Sequence, residues 1–252
     1  MDEWFTQAGH GIRFEWGAAG AERLAARVAC LVVVDVLSFT TSVTVAAEAG
    51  TRVFPYRWRD ETAAAFAGQV DAELAAGRRQ ATAASPWSLS PAALRRAPFT
   101  PRLVLPSPNG SAIAATARGA TVVAGALRNA AAVGRWLDRQ GYGTPARPVA
   151  VIASGEHWPD GSLRPALEDL LGAGAVIAAL RERTGEGALS VEAAAAAAAF
   201  TATPDVRRAV AGSSSGRELT HGGFADDVAV ATEQDASSVV PVLTDGAFTA
   251  AR

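Results

Sequence analysis

Lysine is missing from the 252 residues; all 23 basic side chains are arginine. That excludes Schiff-base catalysis and a Walker-type phosphate loop, and leaves planar guanidinium forks as the cations available for an oxyanion. Cysteine is nearly absent as well. Cys30 is alone, so no disulfide can form within the chain, and its apolar surroundings in sequence argue against a reactive thiol. The three histidines, His10, His157 and His221, are too scattered to suggest zinc. Nor is there an excess of positive charge: the formal net charge of −2 provides no footprint for nucleic acid. Apolar runs stop well short of membrane-spanning length, and the opening MDEWFTQ lacks the apolar centre of a signal peptide. The expectation is a soluble protein of the cytoplasm with neither a nucleic-acid nor a membrane partner; a homo-oligomer is left open.

What the chain does contain is alternation. Residues 28–45 read VACLVVVDVLSFTTSVTV, a run of β-branched and small apolar residues ending in Asp35. A strand buried on both faces of a parallel sheet has this composition, and a carboxylate at its end would enter the crevice where open α/β sheets bind ligands. Thr40, Thr41 and Ser42 are placed to cap a helix that Gly50 stops. Further strands are expected at 11–17, 51–56, 103–105, 121–124, 149–153 and 239–243. Helices are expected at 60–76, 112–118, 129–140, 165–183, 190–200, 204–211 and 225–231, with irregular chain at 80–101 and a polar loop at 154–164. Strands alternating with helices imply a three-layer α/β/α fold with a mostly parallel or mixed central sheet. With no repeat or linker in sight, residues 1–252 read as one α/β domain, which two closely packed subdomains would also fit.

The polar residues of interest follow strands. Ser107-Pro108-Asn109-Gly110-Ser111 places amides and small hydroxyls at a helix start, suited to phosphate, although Asn-Gly also makes an ordinary turn. Glu168-Asp169 and Asp226-Asp227 open helices, as acidic residues often do for electrostatic reasons alone. Of these, Glu168, Asp169 and Asp227, with Asp35 and Glu156, supply enough oxygen donors for a hard divalent ion such as Mg²⁺. Residues 212–216 match G-x-S-x-G around Ser214, but the preceding segment reads as helix and no histidine follows Asp226 or Asp227, so a serine hydrolase triad cannot be completed in its usual order. The segment reads better as a serine-rich oxyanion loop or a helix start.

Taken in order, VVVDVLSFTTSV, SPNGS, GALRNAAAV, VIASGEHWPDGSLRPALEDLLGAG, SSSGRELTHGGFADDVAVAT and VVPVL resemble the 2-phosphosulfolactate phosphatase (ComB) family over about residues 30–243. The resemblance implies Mg²⁺-dependent hydrolysis of a small anionic phosphate ester, 2-phosphosulfolactate or a related 2-phospho-hydroxyacid, and a place in coenzyme M biosynthesis. Asp35, Glu168, Asp169 and Asp227 fall on its motif positions, and on them we expect Asp35, Glu168 and Asp169 to serve catalysis and the same three with Asp227 to hold the metal. Substrate and phosphate contacts fall to Ser107, Asn109, Gly110, Ser111, Asn129, Gly155, Glu156, Ser214, Ser215, Gly216 and Arg217, with Glu156 or His157 protonating the leaving alkoxide. One departure stands out: the family commonly has Arg where this chain has Ser38. Arg128, Arg164 or Arg217 is expected to replace it, or else the substrate differs. The competing readings are a non-catalytic binder of an anionic metabolite and a serine hydrolase using Ser214.

Overall fold

The computed structural model describes residues 3–58, 60–116, 119–184 and 188–251. In chain order the elements are β1 (Ile12–Trp16), α1 (Gly17–Ala25), β2 (Cys30–Val34), α2 (Phe39–Glu48), β3 (Arg52–Tyr56), α3 (Glu61–Gln69), β4 (Glu73–Leu74), α4 (Pro91–Arg96), β5 (Arg102–Pro106), α5 (Gly110–Thr116) and β6 (Thr121–Gly125). Then come α6 (Ala130–Arg139), β7 (Val149–Ala153), a two-stranded ribbon of β8 (Glu156–His157) and β9 (Leu163–Arg164), α7 (Leu167–Thr184), α8 (Val191–Thr201), α9 (Val206–Gly212), α10 (Ser214–His221), α11 (Ala225–Ala231), β10 (Pro241–Thr244) and β11 (Ala247–Ala250).

Nine strands form one mixed sheet in the order β1-β7-β2-β6-β10-β11-β3-β5-β4. β1, β7, β2 and β6 are mutually parallel, as are β3, β5 and β4, and the antiparallel hairpin β10–β11 joins the two groups. β2 lies between β7 and β6 with all five residues buried, which is why its sequence is apolar throughout and does not alternate with polar residues. Its side chains divide by parity. Val32 and Val34 join Val151, Val133, Val176 and Ala196 under α6, α7 and α8, whereas Leu31 and Val33 join Ile152, Leu24, Phe39 and Ile113 under α1, α2 and α5. Helices therefore cover both faces, giving the three layers expected.

Four expectations need correction. The helix expected over 60–76 ends at Gln69; Asp71 takes a left-handed φ of 48°, and Leu74, counted as the last apolar position of the helix, lies on the edge strand β4 beside β5. The irregular stretch 80–101 contains α4, started by Ser90, whose side chain accepts from the Ala93 N–H, and by Pro91, which needs no amide partner there. The closing strand is a hairpin. Asp245 and Gly246 supply the two positive φ values, 51° and 77°, that a two-residue turn requires, and this Asp-Gly signal was legible in the sequence. The helix expected over 112–118 begins at Gly110 and runs to Thr116; residues 117 and 118 lie outside the described residues. Among the described residues no helix is long and apolar enough to cross a membrane.

Candidate active site

The chain leaves β2 at Asp35, whose carboxylate turns back onto the backbone. Oδ1 accepts the Phe39 N–H at 3.1 Å and Oδ2 accepts the Gly110 N–H at 3.0 Å, from the first residue of α5. Gly110 is required for that approach, because a Cβ there would lie 2.3 Å from the Phe39 ring and 2.9 Å from Asp35 Oδ2. The hydroxyls expected to cap α2 instead fasten this turn. Thr40 Oγ1 donates to the Asp35 carbonyl and accepts the Asp35 N–H, Thr41 donates to the Val36 carbonyl, and Ser42 donates to the Leu89 carbonyl. Burial raises the Asp35 pKa; the two amides and Arg78 oppose the rise, and the charge of Glu168 adds to it.

The Glu168-Asp169 pair opens α7, but neither residue is a solvated helix-start acid: both are buried. Asp169 Oδ1 accepts the Val36 N–H at 2.7 Å and Oδ2 the Gly155 N–H at 2.9 Å, so one carboxylate ties together the chain ends leaving β2 and β7. Burial, followed by the charges of Asp35, Glu168 and Glu156, holds its pKa well above the usual carboxylate range. Glu168 Oε2 accepts from Ser213 Oγ at 3.1 Å. Glu156 comes next after the β7 turn at Gly155, and its Oε2 accepts from Asn109 Nδ2 at 3.0 Å. Burial and the charge of Asp35 push the Glu156 carboxyl up to about 7.

A cavity of about 240 Å³ is lined by Asp35 and Glu156 but not by Glu168 or Asp169, and Ser38, Arg78, Ser107 and Asn109 are among its other lining residues. Arg78 was not foreseen from sequence. It stands in the loop after β4, where an Arg-Arg pair carries no motif, and only the fold brings it to the end of β2. Its Nε donates to Asp227 Oδ2 at 3.1 Å and its Nη2 to Ser38 Oγ. A guanidinium therefore does reach position 38, but none of the three arginines expected supplies it. Arg128 is buried against Glu48 and Glu233; Arg164 lies over the Trp158 ring with Nη2 3.4 Å from Ser215 Oγ; Arg217 is exposed.

Several other expected site residues also have structural partners. Asp227 is not gathered with the other carboxylates: Oδ1 accepts from Ser90 Oγ and the Ala92 N–H, Oδ2 from Arg78, so it joins α11 to the start of α4 and to Arg78. Asn129 is fully buried, donating to the carbonyls of Ala124 and Val239 and accepting from the Ala126 N–H. Ser111 is buried with Oγ 3.4 Å from the Leu105 carbonyl. The 213–216 segment is a helix start, since Ser213 Oγ accepts the Gly216 N–H. Ser215 lines the cavity; Ser214 is exposed and does not. Because Ser214 follows α9 and not a strand, the strand-to-helix elbow of a serine hydrolase is absent there.

Asp35, Glu156, Glu168 and Asp169 thus form one mutually repelling group at the adjacent ends of β2 and β7. Among the described residues no three His, Cys, Asp or Glu side chains converge closely enough to enclose an ion by themselves. The donors are oxygens only, and Mg²⁺ characteristically takes one or two carboxylates, keeping waters and substrate oxygens for its other positions. The residues present fit that mode.

A family model described as 2-phosphosulpholactate phosphatase matches residues 20–246, nearly the whole chain. No curated protein matches it significantly.

Proposed function

The chain belongs to the 2-phosphosulpholactate phosphatase family and is a phosphoric monoester hydrolase; on that premise we propose that it cleaves 2-phosphosulfolactate or a related 2-phospho-hydroxyacid with Mg²⁺ held at Asp35 and Glu168. The observation that carries this reading is the group of four mutually repelling carboxylates, Asp35, Glu156, Glu168 and Asp169, of which Asp35 and Glu156 line a cavity whose lining arginine is Arg78 while Glu168 and Asp169 are buried behind it. A phosphate dianion entering such a site meets an excess of negative charge; burial is the main cause of the raised carboxylate pKa values, and the mutual repulsion of the carboxylates adds to it. Bound there, Mg²⁺ supplies the missing positive charge and polarises the phosphoryl oxygens.

The chain's own residues do the rest. Asp35 is aimed by the Phe39 and Gly110 amides, and Asp169, with both oxygens on backbone N–H groups, positions the two loops that carry Asp35 and Glu156. Ser107 and Ser215, both lining the cavity, offer hydroxyls to the phosphoryl group. Arg78, held by Asp227, faces the substrate's carboxylate or sulfonate with a planar fork suited to it. Glu156 lines the cavity, and in the metal-free protein burial and the charge of Asp35 push its carboxyl up to about 7; it is the residue we assign to protonate the leaving alkoxide. The nucleophile in this reading is water; a phospho-aspartate formed on Asp35, whose oxygens keep lone pairs beside the Phe39 and Gly110 amides, is the alternative.

Phosphate release from a panel of 2-phospho-hydroxyacids, run with Mg²⁺ and with EDTA, tests the proposal. Turnover should require Mg²⁺, and Asp35→Asn should abolish it with the fold intact. Equal rates in EDTA, or near-normal activity of the variant, would remove the metal or Asp35 from the mechanism.

A further inference from the structure

A second cavity, of about 260 Å³, shares the Pro108–Asn109 wall with the catalytic one and extends to the start of α1. Gly17, Ala18, Ala19, Arg57, Ser154 and His157 are among the residues that line it. Two polar atoms on its wall are buried with no hydrogen-bond partner, Ser154 Oγ and Asn109 Oδ1. Ser154 itself is 2% exposed. A buried hydroxyl left unpaired is costly, so it calls for a ligand or ordered water that satisfies it. The nine-residue helix α1 begins at the same wall with no side-chain cap and no acidic residue in its first turn. Its first amides have no partner within the helix and carry the positive end of the helix dipole. The neighbouring Glu15 takes the Trp16 N–H and does not line the cavity. Arg57 stacks on the exposed Trp58 ring, 4.4 Å from its centroid, and among the described residues no carboxylate pairs with it. Stacking engages the face of a guanidinium and leaves its edge N–H groups free.

We propose that this cavity is an oxyanion-binding site distinct from the phosphoryl pocket, in which a sulfonate, carboxylate or inorganic oxyanion is held by Arg57, Ser154 Oγ and the first amides of α1. Asn109 joins the two sites, since it lines both cavities and its Nδ2 holds Glu156, while its buried Oδ1 has no partner and is left to accept from an ordered water. The anion has two sources: the far end of the substrate itself, or a separate small anion bound beside it.

Titration calorimetry with methanesulfonate and with sulfate, together with crystals soaked in selenate, tests the site directly. Arg57→Gln and Ser154→Ala should each weaken binding about tenfold or more, the loss of one charge-assisted hydrogen bond, while Arg78→Gln leaves this component unchanged. Anomalous density for selenate should lie between Arg57 and the start of α1. Kinetics then separate the sources. If the group belongs to the substrate, Arg57→Gln raises KM for 2-phosphosulfolactate about tenfold and leaves p-nitrophenyl phosphate within about twofold, since only the former has a second anion to lose. If the anion is separate, methanesulfonate alters turnover of both substrates alike, and Arg57→Gln removes that effect. Absence of binding to the wild-type protein, selenate only at Arg78, or affinities unmoved by both variants would overturn the proposal. Calorimetry and density decide it even if 2-phosphosulfolactate is not turned over, a failure that bears only on the substrate proposed above.

Discussion

Asp227→Asn separates two roles for one buried carboxylate. If Asp227 is a metal ligand, as its place in the family pattern implies, removing its charge should raise the Mg²⁺ concentration for half-activity at least ~10-fold, the scale seen even for outer-shell changes at metal sites. The structure argues for another outcome, because both oxygens are occupied by Arg78, Ser90 and the Ala92 amide. Asparagine keeps the size and retains an acceptor for Ser90 and Ala92, but turns an NH₂ toward the Arg78 guanidinium. Removing one partner of a fully buried ion pair costs ~3–5 kcal/mol. Asp227 is 1% exposed but Arg78 keeps 17%, so water relieves part of the loss and about 2–3 kcal/mol remains. For a chain of this size that corresponds to a Tm lower by roughly 5–10 °C. Freed from Asp227, Arg78 loses its aim at the substrate anion, and KM should rise about tenfold, with kcat falling less. The assay is a melting curve together with phosphate release at varied substrate and varied Mg²⁺. A shift of tenfold or more in Mg²⁺ half-activation with KM unchanged would refute the positioning role and restore Asp227 to the metal.

Other expectations follow from the same geometry. Gly110→Ala drives a methyl into the Phe39 ring and against Asp35 Oδ2, so the N–H that aims Asp35 must withdraw. A loss of about 1–3 kcal/mol in stability is expected with a larger proportional loss of kcat, and unchanged kcat would show that the Gly110 contact is dispensable. Glu156 gives the metal-free protein a pH dependence. Its folded pKa of about 7 exceeds the ordinary 4.5, so its contribution to stability is complete below pH ~4.5 and lost as pH rises through ~7, up to roughly 3 kcal/mol in all. Glu156→Gln should flatten that slope in denaturant titrations at pH 5 to 8.5, and an equally steep slope in the variant would assign it to other groups. The same variant should lose the fall in kcat with rising pH expected of a general acid, most clearly with substrates whose leaving alkoxide is basic.

How far the site was legible from sequence depends on the range of the interactions involved. SPNGS was read as a helix start offering amides, which it is, but its first amide is committed to Asp35 of β2 and not left open for phosphate. Asp169 and Glu168 look like ordinary first-turn acids in the sequence. What distinguishes them is burial against the ends of β2 and β7, 133 and 14 residues away for the two amide contacts of Asp169. Asn129 and Asp227 stand in motif order with segments that do line the cavity, yet neither lines it: Asn129 satisfies backbone groups, and Asp227 reaches the cavity only through the Arg78 guanidinium. Motif order records which segments meet. It does not record which way a side chain turns.

The run from Val28 to Val45 shows both sides of that division. The apolar strand ending at Asp35 was determined by the sequence alone, because a strand covered on both faces must be apolar throughout and a carboxylate marks where that run stops; that Asp35 is itself buried, held by two backbone amides, was not. Alternation of such strands with amphipathic helices likewise determined the layers. What Ser38 means was decided only by the tertiary structure. In sequence it is a lost arginine; in the fold its hydroxyl meets Arg78 from a loop 40 residues on, itself held by Asp227 from a helix 149 residues beyond Arg78. No local pattern encodes such a contact, since the three residues share no periodicity and their partnership exists only where the loop after β4, the turn after β2 and the start of α11 are packed together.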